Sequence, residues 1–280
     1  SLFSLKFTFF MPGCRPEKSI YCTAAYTRYT MTTPIDISEE SGVRYLHFGS
    51  EWVQGAMRIR KPDALELDYT REMMAGLLLR DAPWPRRVLL IGLGAGSLTK
   101  FVHRHLPDAR TTVVEIAPEV HAVAHQFFKL PDEDERLEIV IGDGAEFIAN
   151  DTTHWDLIAV DGFDRNARAG ALASQAFYEA CRARLSEQGL LVANLFGQLR
   201  GYKTQLQRLG KAFDGRVLAL APVASGNVVA FAAAGEPVER SLIELREQAA
   251  ALKAATGLDL APTLKRLEKA GLAPAGNISF

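Results

Sequence analysis

Cysteine is scarce in this sequence, with three residues among 280, at Cys14, Cys22 and Cys181. Three widely scattered cysteines are too few for a disulfide framework or a zinc site. The sequence also lacks an excess of either charge, because 32 basic residues face 33 acidic ones, and this balance argues against a general nucleic-acid surface. No apolar run is long enough to span a membrane. We therefore expect a cytoplasmic protein without nucleic-acid or membrane partners.

The first residues differ in character from the rest of the chain. Residues 2–11 are apolar and rich in phenylalanine, but Lys6 interrupts the run and a Pro-Gly pair ends it. As a signal peptide this segment has a weak basic start and no clean cleavage site. Met31 resembles an ordinary protein start. We expect residues 1–42 to form a disordered tail with no part in the chemistry.

Three further segments follow the tail. Short alternating runs at 43–48 and 52–60, followed by a helical pattern, predict a small β-hairpin and helix over residues 43–80. Residues 81–235 alternate buried strands with helices. In residues 236–280, apolar side chains recur at three- and four-residue steps. This spacing predicts a helical extension that packs on the domain or on a second subunit, as in a homodimer.

A glycine-rich turn after a buried strand is the most informative motif. The apolar run Val88–Ile91 predicts a strand buried on both faces. Gly92, Gly94 and Gly96 then let the backbone turn tightly and approach a ligand, and Ser97 can cap the following helix. The sequence therefore predicts a strand, turn and helix of the kind that binds nucleosides.

Acidic residues follow the next three strands. Glu115 ends the second strand of the unit, where an acid hydrogen-bonds ribose hydroxyls. Asp143, followed by Gly144, can accept a hydrogen bond from the amine of adenine, although a plain turn aspartate is as common. Asp161 and Asp164 follow the fourth strand, where two carboxylates can hold a cationic amine and one can remove its proton. The alternative for this pair is a solvated acidic turn.

The alternation of strands and helices predicts a parallel sheet with crossover helices. Two last apolar runs, 217–220 and 228–232, are separated by too few residues for a parallel crossover and should pair antiparallel at the sheet edge. This ending resembles the S-adenosylmethionine-dependent methyltransferase fold. We therefore predict an α/β protein with a doubly wound, mostly parallel, Rossmann-like sheet and a terminal antiparallel pair, preceded by the small β-hairpin.

With these residues assembled, the chain resembles the spermidine synthase family of polyamine aminopropyltransferases. The resemblance extends from about Trp52 to Ala232. It is carried by five motifs, which are Tyr69-Thr70-Arg71-Glu72-Met73, Val88–Ser97, Val114-Glu115-Ile116, Gly142-Asp143-Gly144 and Val160-Asp161-Gly162-Phe163-Asp164. Their order and spacing are more specific than any one of them.

The resemblance implies transfer of an aminopropyl group from decarboxylated S-adenosylmethionine to an amine such as putrescine, with methylthioadenosine as by-product and without a metal. It implies that Glu115 binds the ribose, Asp143 the adenine amine and the three glycines the donor. Asp161 would be the base that readies the attacking amine, and Asp164 would help to hold that amine. The residues expected to bind the substrate are Gln54, Thr70 and Arg71.

Several residues depart from the family pattern. Ala95 stands where the family has an aspartate, Thr70 and Arg71 replace its Tyr-Gln pair, and the loop 222–225 lacks its tyrosine. An arginine would repel a polyamine but would pair with a carboxylate. Arg71 and Ala95 therefore favour a second hypothesis, a methyltransferase that uses intact S-adenosylmethionine. A third hypothesis is a non-catalytic nucleoside-binding protein.

Overall fold

The computed structural model describes residues 35–50, 52–163, 168–196 and 202–280. Most of the predicted tail and the predicted site residue Asp164 lie outside these ranges. No described helix is both long and apolar enough to cross a bilayer.

A small antiparallel sheet opens the described chain. It has three strands, β1 (Asp36–Glu40), β2 (Val43–His47) and β3 (Val53–Arg58), in that order. The hairpin of β2 and β3 is confirmed, whereas β1 lies in the segment that we expect to be a tail. Its sequence is too polar to signal a strand, yet Ile37 stands opposite the buried Leu46 in the register. Pairing with β2 therefore defines β1.

Regular elements then alternate along the chain. The remaining strands are β4 (Arg87–Ile91), β5 (Arg110–Glu115), β6 (Leu137–Ile141), β7 (Trp155–Val160), β8 (Leu185–Phe196), β9 (Val217–Ala219), β10 (Asn227–Ala233), β11 (Glu239–Ser241) and β12 (Asn277–Ser279). The helices are α1 (Asp68–Met73), α2 (Ser97–His105), α3 (Pro118–Phe128), α4 (Gly144–Asn150), α5 (Gln175–Ala183), α6 (Tyr202–Ala212), α7 (Leu242–Thr256) and α8 (Ala261–Lys269).

The central sheet has the predicted topology. Seven strands lie in the order β6-β5-β4-β7-β8-β10-β9. The first five of these are parallel, whereas β10 runs antiparallel to both β8 and β9. After β4, the chain adds β5 and β6 on one side of that strand and then returns to add β7 and β8 on the other side. The carboxyl ends of the neighbouring strands β4 and β7 therefore lie side by side. The predicted fold class is confirmed.

The middle of the sheet is buried on both faces, as the central strand β4 shows. In β4, Val88 and Leu90 belong to one buried cluster, and Leu89 and Ile91 belong to another. Successive side chains of a strand point to opposite faces, so the two clusters are the two sides of the sheet. The continuous apolar run therefore corresponds to a strand buried on both faces.

Two local details differ from the sequence pattern. The helix expected over residues 69–79 is α-helical only to Met73 and continues as a 3-10 turn, Met74–Leu78. Ser97 does not cap α2, because Gly96 occupies the N-cap position in a left-handed conformation with φ of 66°. The Ser97 hydroxyl instead donates to the carbonyl oxygen of Ala56 at 3.1 Å and ties α2 to β3.

The segment after β10 packs against the sheet. Ser241 and Glu244 form a reciprocal capping box at the start of α7, which satisfies backbone donors at that helix end. The buried side chains of Leu245 and Leu264 join the same cluster as Val88. The expected helical extension is therefore present as two helices, and both cover their own domain.

Arg80 connects segments that are far apart in the chain. Its side chain is buried and donates to three carbonyl oxygens, those of Gln188 at 3.1 Å, Pro237 at 3.1 Å and Glu236 at 2.6 Å. Burial is the main cause that lowers the pKa of Arg80. The guanidinium thus fastens the segment before β4 to β8 and to the turn between β10 and β11.

We expect Arg80→Met to lower the free energy of unfolding by about 3 kcal/mol, because three carbonyls lose a charged donor. Urea denaturation measures this change. Arg58→Met is the matched control, since Arg58 pairs with Glu66 at the surface and an exposed pair contributes less than about 1 kcal/mol. Equal losses in the two variants would contradict a special role for Arg80.

Candidate active site

The glycine turn after β4 is packed directly against the loop after β7. All three glycines, Gly92, Gly94 and Gly96, have positive φ. At Gly92, with φ of 98°, a Cβ atom would lie 2.2 Å from the carbonyl oxygen of Asp161. The amide N–H of Asp161 also donates to the carbonyl of Ile91 at 2.8 Å. The predicted turn and the predicted base are therefore adjacent, and Gly92 is required by both conformation and space.

Glu115 fastens the glycine turn from the neighbouring strand. Its carboxylate accepts hydrogen bonds from the backbone N–H groups of Leu93 and Ala117, each at 2.9 Å. The residue is buried, and this burial raises its pKa although the backbone donors oppose the shift. Each carboxylate oxygen has a second lone pair. Glu115 can therefore order the turn and still accept a hydrogen bond from a ligand.

Asp143 caps the next helix at the same edge. Its Oδ1 accepts from the N–H groups of Ala145 at 2.7 Å and Glu146 at 3.1 Å, and within the described ranges Oδ2 accepts none. Asp143 thus caps a turn with one carboxylate oxygen, which is the structural alternative to ligand binding, and its other oxygen is left for a ligand. Gly144 allows close packing, because a Cβ there would lie 2.4 Å from the side chain of Ile91.

Two apolar side chains stand beside these acids and are unusually exposed. Ile116 follows Glu115 at the end of β5, and Ile141 ends β6 directly opposite Glu115 in the register. Their exposed fractions are 51% and 43%. Apolar side chains next to polar acceptors at a sheet edge suit a flat heteroaromatic ring with hydrogen-bonding edges.

Asp161 is held by one hydrogen bond on each carboxylate oxygen. The amide of Asn194, in β8, donates to Oδ1 at 2.8 Å, and the hydroxyl of Tyr69, in α1, donates to Oδ2 at 3.2 Å. Burial raises the pKa of Asp161, while the bonds from Asn194 and Tyr69 act to lower it. Such a group is an oriented carboxylate whose pKa is shifted toward the range of a general base.

A relay of side chains supports Asn194 from the next strand. Asn227, in β10, donates to the amide oxygen of Asn194 at 3.0 Å, and Ser225 donates to the amide oxygen of Asn227 at 2.5 Å. Both asparagines are buried. Buried amides are stable only when they are hydrogen-bonded, so the relay fixes their orientation and hence the bond to Asp161.

The structure does not bring every predicted substrate residue to Asp161. Arg71 lies two residues from Tyr69 on α1 and therefore on the opposite side of the helix. Its guanidinium donates to the carbonyl oxygens of Leu65 and Glu66 and pairs with Asp68. It lines a separate cavity of about 820 Å³ between α1 and α8.

Thr70 and Gln54 differ in their relation to the site. Thr70 is buried, and its hydroxyl donates to the carbonyl oxygen of Leu67 at 2.7 Å, at the start of α1. Gln54 lies in β3, and its backbone oxygen would be 3.2 Å from a Cβ on Gly94. Of the three predicted substrate residues, Gln54 is therefore the one that lies next to the glycine turn.

Ala95 faces away from the open edge of the sheet. It is 2% exposed and joins a small cluster with Leu46, Met57 and Phe128. A Cβ atom placed on Gly55, in β3, would lie 2.6 Å from the Cβ atom of Ala95. The methyl group therefore packs against β3, and its difference from the family pattern does not alter the surface beside Asp161.

Sequence reasoning missed Asn194 and Asn227 as site residues and used Tyr69 only as part of a motif. A signal was present, because Asn194 interrupts the apolar buried run 190–195 of β8, where a polar side chain must find a partner. In the described part of the chain, no three histidine, cysteine or acidic side chains are grouped as a metal site would require.

Comparisons with known proteins show which proteins this chain is similar to. A family model described as the spermine/spermidine synthase domain matches residues 67–237, which include every residue of the relay but not α7 or α8. The chain is 41% identical to a polyamine aminopropyltransferase of Neisseria meningitidis over 225 residues, which cover 80% of this chain and 85% of that protein.

Two solved structures are similar as well. A spermidine synthase in complex with the transition-state analogue AdoDATO matches with a TM-score of 0.55 and 26% identity, over 71% of this chain and 73% of that one. Human methyltransferase-like protein 13 in complex with SAH matches with a TM-score of 0.60 and 27% identity, over 68% of this chain and 93% of that one.

We expect Gly92→Ala to lower the free energy of unfolding by about 3 kcal/mol or more, because it combines an unfavourable φ with a backbone clash. Urea denaturation measures the loss. Gly257→Ala is the control, since Gly257 has φ of 79° but open space around it, and the conformational strain alone costs about 1 kcal/mol. A loss at Gly92 no greater than the control would show that the turn can move away from Asp161.

Proposed function

The chain belongs to the spermine/spermidine synthase family, and we propose that it transfers an aminopropyl group from decarboxylated S-adenosylmethionine to a polyamine-type acceptor such as putrescine. The observation that carries this proposal is the carboxylate of Asp161. It is oriented by two hydrogen bonds and its pKa is raised by burial, and the backbone carbonyl of the same residue lies against the glycine turn.

The donor half of the proposed site is formed by the ends of β4, β5 and β6. We propose that Glu115 accepts hydrogen bonds from the ribose hydroxyls and that Oδ2 of Asp143 accepts one from the adenine amine. Ile116 and Ile141 would contact the adenine ring. The backbone of Gly92, Gly94, Gly96 and Gly144 would border the rest of the nucleoside. The chemistry of these groups fits a sulfonium nucleoside, because it combines acceptors for hydroxyls and an amine with an apolar surface.

The acceptor half is formed by Asp161 and its neighbours. We propose that Asp161 accepts the proton of the acceptor amine as its nitrogen bonds to the aminopropyl carbon. The bond from that carbon to sulfur breaks, and its electron pair leaves on methylthioadenosine. The sulfonium is already a good leaving group, so the protein need only align and deprotonate the amine. Asp164 is proposed as a second acid for the amine, and Gln54 as a residue that borders it.

Three observations support aminopropyl transfer over methyl transfer. The methyltransferase hypothesis rested on Arg71 as a partner for the donor carboxylate and on Ala95 as a missing acid. Arg71 is engaged on the far side of α1, and Ala95 is buried against β3. The chain is 41% identical to a polyamine aminopropyltransferase over 80% of its length, but only 27% identical to human methyltransferase-like protein 13 over 68% of its length. This difference favours the same conclusion. A homodimer and a cytoplasmic location remain predictions from the sequence.

The donor is tested by calorimetric titration of the protein with decarboxylated and intact S-adenosylmethionine. We expect the decarboxylated donor to bind at least about tenfold more tightly, or about 1.4 kcal/mol, and to release methylthioadenosine when putrescine is added. A preference for the intact donor, with S-adenosylhomocysteine as product, would establish the methyltransferase instead. Binding of a donor without turnover of any amine would establish the non-catalytic alternative.

We expect Asp161→Asn to reduce turnover by about 10²- to 10⁴-fold, because an amide cannot take up the proton. Donor affinity should be nearly unchanged, since the proposed donor contacts lie on β4, β5 and β6. Asp132→Asn is the control, because the side chain of Asp132 is 90% exposed. Turnover that survives in Asp161→Asn would exclude Asp161 as the base.

The bond from Asn194 gives a pH-dependent test. Asn194 stabilises the ionised form of Asp161 and so lowers its pKa. We expect Asn194→Ala to move the acidic limb of the kcat/KM profile to higher pH, with less change on the alkaline side. Asn150→Ala, on the surface of α4, should leave the limb in place. An unmoved limb in Asn194→Ala would show that the bond does not control the base.

A further inference from the structure

Arg266 makes polar contacts with two segments near the site that are distant from it in the chain. From α8 it pairs with Oε1 of Glu72, in α1, and donates to the carbonyl oxygen of Ala221. Glu72 and Arg266 are 194 residues apart in the chain. The family model ends at residue 237, so α8 and Arg266 lie outside the part of the chain that it matches.

The contact of Arg266 with Glu72 is connected through α1 to Oδ2 of Asp161. Glu72 is one helical turn beyond Tyr69, whose hydroxyl donates to Oδ2 of Asp161. Glu72 is 2% exposed, and its Oε2 has no hydrogen-bond partner in the described residues. Burial raises its pKa to about 7, against the effect of Arg266. Arg266 is therefore the main partner of a buried acid that is rigidly connected to Tyr69.

The contact of Arg266 with Ala221 is connected through the loop before β10 to Oδ1 of Asp161. Ala221 begins the short loop before β10, in which Val223 accepts from Gly226 at 2.8 Å and donates to Asn227 at 3.0 Å. These bonds keep the loop tight. Its Ser225 starts the relay through the two asparagines to Oδ1 of Asp161. Arg266 thus contacts the start of both routes that end on the proposed base.

We propose that Arg266 is a positioning residue for the transfer reaction: by holding α1 and the 221–226 loop together, it sets both hydrogen bonds to the Asp161 carboxylate. It acts through Glu72 and Ala221 and does not touch the reactants. The inference rests on the proposed function, because it concerns the orientation of the base. It gives the helical segment after β10 a part in the reaction and not only in stability.

The decisive variant is Glu72→Gln/Arg266→Met, which removes both partners and so leaves no unpaired buried charge. Assayed above pH 7, it should lose kcat/KM for the acceptor by about ten- to a hundredfold, because the base is displaced. Its melting temperature should change by no more than about 4 °C, and its Kd for methylthioadenosine should stay within about twofold. The split between turnover and nucleoside binding is the readout that a purely structural role would not produce.

Two further variants complete the test. Arg266→Lys keeps the charge but cannot serve Glu72 and Ala221 together, so its kcat/KM should lie between those of the wild type and the double variant. Arg246→Met is the matched control, because Arg246 pairs with Glu268 at the surface, joins α7 to α8 and does not reach α1. It should keep wild-type kinetics.

The outcomes separate the two proposals. A folded double variant with wild-type kcat/KM would overturn the role of Arg266. A loss of nucleoside affinity equal to the loss of turnover, or an equal loss in Arg246→Met, would overturn it as well, since either would indicate general loosening of the fold. If the wild-type chain turned over no amine at all, the proposed function would fail, and the role of Arg266 in that reaction would fail with it.

Discussion

The backbone contact between Gly92 and Asp161 is the constraint on which the rest of the site depends. It arises because β4 and β7 are neighbours and parallel, so that the turn after one strand meets the loop after the other. A side chain at Gly92 would push the two apart. The donor turn and the proposed base therefore keep a fixed separation that is set by the pairing of β4 with β7. Catalysis by alignment needs such a fixed distance more than it needs any additional functional group.

Polar side chains extend this constraint across the part of the sheet where strand direction reverses. Asn194 is in the last strand of the parallel set, and Asn227 begins the antiparallel strand beside it. Buried amides in apolar strands are unfavourable unless each is bonded. Here each hydrogen bond has two effects: it satisfies a buried amide, and it orients the next side chain of the relay toward Asp161. The terminal antiparallel pair, which serves as a fold signature in the sequence, thus carries part of the candidate active site.

Sequence patterns predicted what depends on local periodicity. Buried strands, their order and the glycine turn follow from apolar runs and φ requirements, and the acids at strand ends follow from the parallel topology. The direction of individual side chains was less accessible. Arg71 and Ala95 differ from the family pattern, yet one faces the far side of α1 and the other packs under β3, because helix phase and sheet contacts determine where they point. The polar strand β1 and the contact of Arg266 with Glu72 depend on partners that are distant in the chain, so no local window reveals them.

The distance between Glu72 and Arg266 along the chain also has a consequence for how the protein is made. Synthesis proceeds from the N-terminus, and domains begin to form as they emerge. The strands of the central sheet, the glycine turn and the relay all precede residue 234, so the nascent chain contains the whole of the proposed nucleoside-binding edge before α8 exists. Until the ribosome adds residue 266, Glu72 lacks its cation. The order of translation therefore completes the binding edge first and the support of the base last.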